Sequence, residues 1–146
     1  MMAEEIFVAA SPWIAGVGDP VALINESLSG LVKVCYRRGP FLQAIFDATS
    51  TDQRFEKDWS EFLGRFDDAG CARIEGDQKQ GLIAAFDAFP VAFALNRLDA
   101  YTIIEAFGKR PRRKPKPVRK ALVRLWVSTL YGSEWVKKGS SNLVRT

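Results

Sequence analysis

Phe89-Pro90-Val91-Ala92-Phe93-Ala94-Leu95 opens an apolar segment that continues to Phe107, and a second patterned segment runs from Pro117 to Tyr131. In the second, Val118, Ala121, Leu122, Leu125, Trp126, Thr129 and Leu130 recur at helical spacing, while Arg119, Lys120 and Arg124 fall on the other side. That pattern predicts one helix with a wide apolar face. The first segment starts with a turn and a half that has no polar side, so it is expected to be buried all round. One small domain has difficulty enclosing such a C-terminal pair. The two helices are therefore expected to form half of a four-helix bundle completed by a second copy of the chain, a homodimer with Val118, Leu122, Leu125 and Thr129 at its interface.

Upstream the same reading continues. Ala3 to Ala10 predicts a short helix, and Ser11-Pro12-Trp13 to Gly18 a loop. Asp19-Pro20 is a cap followed by proline at the first helical position. Val21, Ile24, Leu28, Leu31 and Val34 or Cys35 then form a stripe that Gly39 is expected to end. Pro40 restarts the chain into a short helix carrying Phe41, Ile45 and Phe46, fading in Ala48 to Thr51. From Asp52 a long helix carries Phe55, Trp59, Phe62, Leu63, Phe66 and Ile74 and stops at Gly81, with Gly64, Gly70 and Gly76 inside it admitting a close neighbour, a kink, or nothing in particular. Asp87 is expected to cap the next helix and Gly108 to end it, leaving 133–146 as a flexible tail behind a domain spanning 1–132. No alternating strand pattern with hairpin turns appears, so the fold class is all-α, a bundle of about six helices.

A single domain of 146 residues buries roughly 68–70% of the surface its unfolded chain exposes and needs no staple. Cys35 and Cys71 both lie in helical patterns and read as reduced small hydrophobes, with a disulfide between them as the lesser alternative. The first residues are acidic and no apolar run approaches ~18 residues, so the expectation is a cytoplasmic protein with no membrane span. The net charge of +4 is uneven. Lys109, Arg110, Arg112, Arg113, Lys114, Lys116, Arg119 and Lys120 hold eight of the 21 basic residues, so the remaining 13 face 17 acidic ones and the rest of the chain is negative. A basic footprint spread over the surface, as in a nucleic-acid-binding domain, is absent. The proline-rich stretch 109–120 reads instead as an exposed, extended loop with at most weak, salt-sensitive attraction to polyanions.

Catalysis is disfavoured by composition. The chain has no histidine, which removes imidazole acid–base chemistry, Ser-His and Cys-His nucleophile pairs and most zinc or iron sites. Gly16-Val17-Gly18 lacks the strand before it and the Gly-Lys-Ser/Thr ending of a phosphate loop. No enzyme activity, cofactor or metal is expected. Asn96 and Asp99, three apart on the face of Ala92 and Ile103, stand out as polar groups on an apolar strip. They read either as interhelical hydrogen bonds, with Arg97, Arg37 or Arg38 as ion-pair partners for Asp99, or as the polar anchors of a ligand pocket.

The run Ala94-Leu95-Asn96-Arg97-Leu98-Asp99-Ala100-Tyr101-Thr102, then Phe107, the connector and Val123 to Gly132, resembles the C-terminal end of TetR-family transcriptional repressors. That resemblance implies a dimeric, helical, small-molecule-sensing domain. It also implies an N-terminal helix-turn-helix DNA-binding domain, of which no pattern precedes Glu4. In the family two asparagines match Asn96 and Asp99 and bond ligand, beside an aromatic matching Trp126. The implied pocket lies between the helices of 19–39, 52–80 and 87–107 and takes a small, largely apolar molecule along Trp59, Phe62, Leu63, Phe66, Phe93 and Ile103. A donor or cationic group would face Asp99, read here as ionised and hence acceptor-only. Ser27, Val34 and Arg38 stand where the family has bulky aromatics, which implies a wider or more polar cavity end. The alternatives are a pure dimerisation module with a filled core and a polyanion binder acting through the basic loop.

Overall fold

A computed structural model describes residues 2–132, which are helical and contain no strand. Six helices follow in order: α1 (Met2–Ala9), α2 (Ser11–Ala15), α3 (Pro20–Thr49), α4 (Gln53–Lys79), α5 (Ala88–Gly108) and α6 (Pro115–Leu130). The expected tail lies outside the described residues. None of the described helices is long and apolar enough to cross a membrane.

Two starts follow the local chemistry of the sequence. Asp19 Oδ1 accepts from Val21 N at 3.0 Å with Pro20 at the first helical position. Asp52 Oδ1 accepts from Arg54 N at 2.9 Å. Each carboxylate satisfies one donor that a helix start leaves unpaired. Asp87 sits at the N-cap of α5 but makes no side-chain cap bond. Gly81 ends α4 with φ of 76°, a backbone angle that a side chain disfavours.

Three stretches depart from the sequence expectation. The loop at 11–18 contains a helix, α2, which buries Trp13. Helix α6 starts two residues early, at Pro115. The 19–39 helix and the short one after Pro40 are a single helix of 30 residues with Pro40 inside it. Proline has no N–H for the carbonyl four residues back, which here is that of Tyr36. Arg112 of the connector donates to that oxygen and to Phe107 O, and its guanidinium lies 4.0 Å from the Tyr36 ring centre. The hydrogen bond that Pro40 cannot give is thus supplied from the far end of the chain. Gly39 suits this crossing, because a Cβ there would meet the Phe107 carbonyl oxygen at 2.3 Å.

The core lies around α3. Ile24, Leu28, Val32 and Cys35 of α3 meet Ile74 of α4, Ala92, Ile103 and Phe107 of α5, and Leu122, Trp126 and Val127 of α6. Gly70 lies where α4 packs on α5, and a Cβ added there would make ordinary contact with Ala92 Cβ at 3.5 Å, so the close approach does not require glycine. Gly64 and Gly76 face open space. Within one chain, α5 is not buried all round. Phe89 and Phe93 are 46% and 45% exposed, because the packed face runs through Ala88, Ala92, Leu95 and Asp99 and leaves their neighbours turned outward.

Candidate functional site

Asn96 and Asp99 project from α5 between two small, partly open cavities that share Leu31, Phe66, Asn96 and Asp99 in their walls. The first, about 40 Å³, is also lined by Trp13, Ile24, Ser27 and Trp126. The second, about 60 Å³, is also lined by Ile6, Cys35, Leu42, Trp59, Phe62, Leu63 and Ile103. Together they make an almost wholly apolar, two-lobed space between α1–α2 and α3–α6. A site of about 10–15 Å³ on this measure holds one water, so each lobe has room for a small fragment. Neither lobe is a wide or polar end. Ser27 Oγ accepts from Trp13 N at 2.8 Å, and Arg38 turns to the surface and pairs with Glu5 at 3.3 Å.

Asp99 is 6% exposed and accepts from Trp126 Nε1 at 2.8 Å. Its expected ion-pair partners go elsewhere, Arg97 to Asp67 at 2.6 Å and Arg37 and Arg38 to Glu5. Among the described residues no cation bonds Asp99, and burial pushes its pKa up to about 8 despite the opposing Trp126 bond. The carboxyl group is therefore neutral near pH 7. The expectation of an ionised, acceptor-only Asp99 is overturned by this desolvation. Asn96 is only half-buried and donates through Nδ2 to Asp67 Oδ1 at 3.0 Å.

Of the nine ligand-site residues expected from sequence, Asn96, Asp99, Trp59, Phe62, Leu63, Phe66, Ile103 and Trp126 line the two lobes. Phe93 does not. Its ring lies on the outer surface under the Arg97 guanidinium, 3.6 Å from the ring centre, and beside Phe89. Among the four interface candidates, Leu125 and Thr129 are exposed and Val118 is half-buried. Leu122, 1% exposed, is already consumed by the core of its own chain and has no surface left to offer a partner.

Trp13 is a site residue that sequence reasoning placed in a loop. Its ring packs edge-on against Trp126 at 5.5 Å, and Nε1 donates to Tyr131 Oη at 2.8 Å. Tyr131 donates onward to Asp77 Oδ2 at 2.7 Å, which Arg73 Nε also reaches at 3.2 Å. The same Arg73 donates to the carbonyls of Trp13 and Gly16 at 2.6 and 2.7 Å. This network ties α2 to α4 and to the end of α6 and fixes Trp13 in the wall of the smaller lobe. The i,i+4 pair Arg73 and Asp77 was the signal available in the sequence. The basic connector also differs from a free loop, since Arg112 is engaged as described and Arg113 N donates to Ala106 O at 2.8 Å.

Described residues that are helical throughout their elements, with α5 and α6 paired, a partly open apolar cavity and a polar pair on α5, have the makings of a TetR-type regulatory domain. Residues 24–132 match the family described as transcriptional regulator EthR, C-terminal domain, and the chain belongs to that family. A search of the curated proteins finds no match.

Proposed function

We propose that this chain is the small-molecule-sensing and dimerisation domain of a TetR-type transcriptional repressor, with residues 1–132 as the regulatory unit. In a regulator of this type DNA would be contacted only through a helix-turn-helix head. The observation that carries the sensing role is the pair Asn96 and Asp99, set in the shared wall of an otherwise apolar double cavity. Polar groups are costly there unless partnered, by roughly 1–3 kcal/mol each, and that is how a pocket orients an apolar guest.

The lobes are smaller than a drug-sized molecule, so a ligand filling both must displace a wall. Helices α1 and α2 are the thinnest wall, contributing Ile6 to one lobe and Ala10, Trp13 and Ile14 to the other. Displacing them would move the N-terminal end of the chain, which is the end that would lead to a head. The dimerisation role draws on Ala94, Leu98 and Tyr101 of α5 and Val118, Ala121, Leu125 and Thr129 of α6, apolar or small residues left exposed or half-buried at helical spacing.

A pure dimerisation module is the second reading, favoured by the small volume of both lobes. A thermal-shift screen of apolar amines, amides and fatty-acid-like compounds separates the two. A ligand present at a hundred times its Kd stabilises the fold by about 2.7 kcal/mol, and a hit at this site loses its shift with Asn96→Ala. A screen without any such hit leaves the dimerisation module standing.

A further inference from the structure

The hydrogen bonds around Asn96 and Asp99 fix what the cavity offers a guest. Asp67 is engaged by Arg97 and is an acceptor, so the Asn96 amide must turn Nδ2 toward it. That leaves the Asn96 carbonyl Oδ1 without a partner among the described residues. In the same way Trp126 occupies Asp99 Oδ1, and Asp99 Oδ2 has no partner among the described residues. Three positions apart on one helical face, the two side chains therefore offer the lobes the Asn96 carbonyl oxygen and Asp99 Oδ2, which becomes a second acceptor once the carboxyl proton is lost, and among the described residues no cation bonds either.

We propose that the cavity takes a lipophilic primary amine, its ammonium group held between Asn96 Oδ1 and Asp99 Oδ2 and its apolar body extending through both lobes as the α1–α2 wall gives way. An ammonium has several donors for two acceptors, and it supplies the counter-charge that a buried carboxylate needs. A neutral alcohol has one donor and no charge. This inference rests on the sensing role proposed above and adds the chemistry of the guest.

Proton bookkeeping makes it testable. With the lobes unfilled, burial keeps the Asp99 carboxyl protonated near pH 7. An alkylamine, like lysine, carries its own proton in water up to pH ~10. When the ion pair forms, the ammonium keeps its proton and the carboxyl proton leaves to solvent, so close to one proton is released per amine bound. Binding then tightens close to tenfold per pH unit from about pH 5 to 7 and levels off above about 8. Other ionisable groups near Asp99 are accounted for. Cys35 from α3 is pushed up to about 12 by burial and by Asp99 itself. Asp67 from α4 is held by Arg97 and Asn96, Glu5 from α1 by Arg37 and Arg38, and α6 presents the Trp126 indole.

Titration calorimetry with a series of phenylalkylamines and the matching phenylalkyl alcohols, repeated in buffers of different ionisation enthalpy, reads both affinity and protons. The expected result is amine binding at least tenfold tighter than that of the alcohol at pH 7, with about one proton released, and alcohol binding independent of pH. Asp99→Asn keeps an acceptor for Trp126. It should abolish proton release and the preference for amine, with an unchanged helical circular-dichroism signal showing that the variant is folded. Alcohols binding as tightly as amines, with no proton released, overturn the amine assignment and leave the sensing role intact. If no member of either series binds while an amide or fatty-acid-like compound gives a thermal shift that Asn96→Ala abolishes, the amine assignment falls and the sensing role stands.

Discussion

Leu122 and Leu125 stand three residues apart on α6, and the same substitution should register in different assays at the two positions. Leu122 is 1% exposed in the single chain and Leu125 is 44% exposed. Trimming a buried leucine to alanine costs about 2–5 kcal/mol through lost burial and the cavity left behind, so Leu122→Ala lowers the denaturant midpoint of the fold itself. Leu125 has already buried about half of its surface within its own chain. Covering the remainder at a contact contributes about 0.7–1.3 kcal/mol, the matching share of the ~1.5–3 kcal/mol for full burial. A two-fold contact counts every substitution twice. Leu125→Ala should therefore weaken association by about 1.3–2.6 kcal/mol, roughly tenfold to eightyfold in Kd. Leu125→Lys should go further and leave single chains, because two unpaired charges would have to be buried, while the helical circular-dichroism signal stays as in the parent. Light scattering checks this against the 16.3 kDa mass of one chain. A parent protein of single mass at micromolar concentration, or a Leu125→Lys dimer as tight as the parent, refutes the assignment of this face.

Asp99 should make stability fall as pH rises. Its folded pKa of about 8 lies above the ordinary 3.8, so between those values the folded chain holds a proton that the unfolded chain has lost. The Asp99 contribution is complete below about pH 4 and declines by up to about 1.4 kcal/mol per pH unit until about pH 8. Urea unfolding across that range checks it, and Asp99→Asn should flatten the slope. Tyr131→Phe removes the oxygen that accepts from Trp13 Nε1 and the donor to Asp77. Leaving the buried Trp13 N–H without that acceptor should cost about 1–3 kcal/mol in chemical denaturation, whereas an unchanged midpoint would show that the network does not brace α2.

Helical periodicity and caps made most of the bundle legible, since they depend on neighbours within four residues. Asp19-Pro20, Asp52 and Gly81 mark three boundaries for reasons contained in the residues themselves. The continuity of α3 was not legible, because Gly39-Pro40 is a correct stop signal locally and is overridden by Arg112, 76 positions away from Tyr36. Eight of the nine pocket residues followed from the family resemblance and helical faces. Phe93 failed because α5 turns Ala92 and Leu95 inward, and aromatic character alone does not fix direction. The charge state of Asp99 was hidden for a related reason, as desolvation is set by what surrounds a group and not by what flanks it in the chain. Trp13 was missed because a five-residue helix beside a proline has too few turns to show a period.

Pro40 and Arg112 also bear on how sequences of this kind can diverge. A residue with its own N–H at position 40 would satisfy the Tyr36 carbonyl within α3 and release position 112 from its task. While the proline stays, losing the arginine strands a carbonyl at the crossing of α3 and α5. The order of substitution is therefore constrained: the proline can be replaced first, and the arginine becomes free to drift only afterwards. One residue of the strongly basic connector is in this sense a historical dependant of a helix it does not belong to, while its exposed neighbours Lys109, Arg110 and Lys114 are under no such tie.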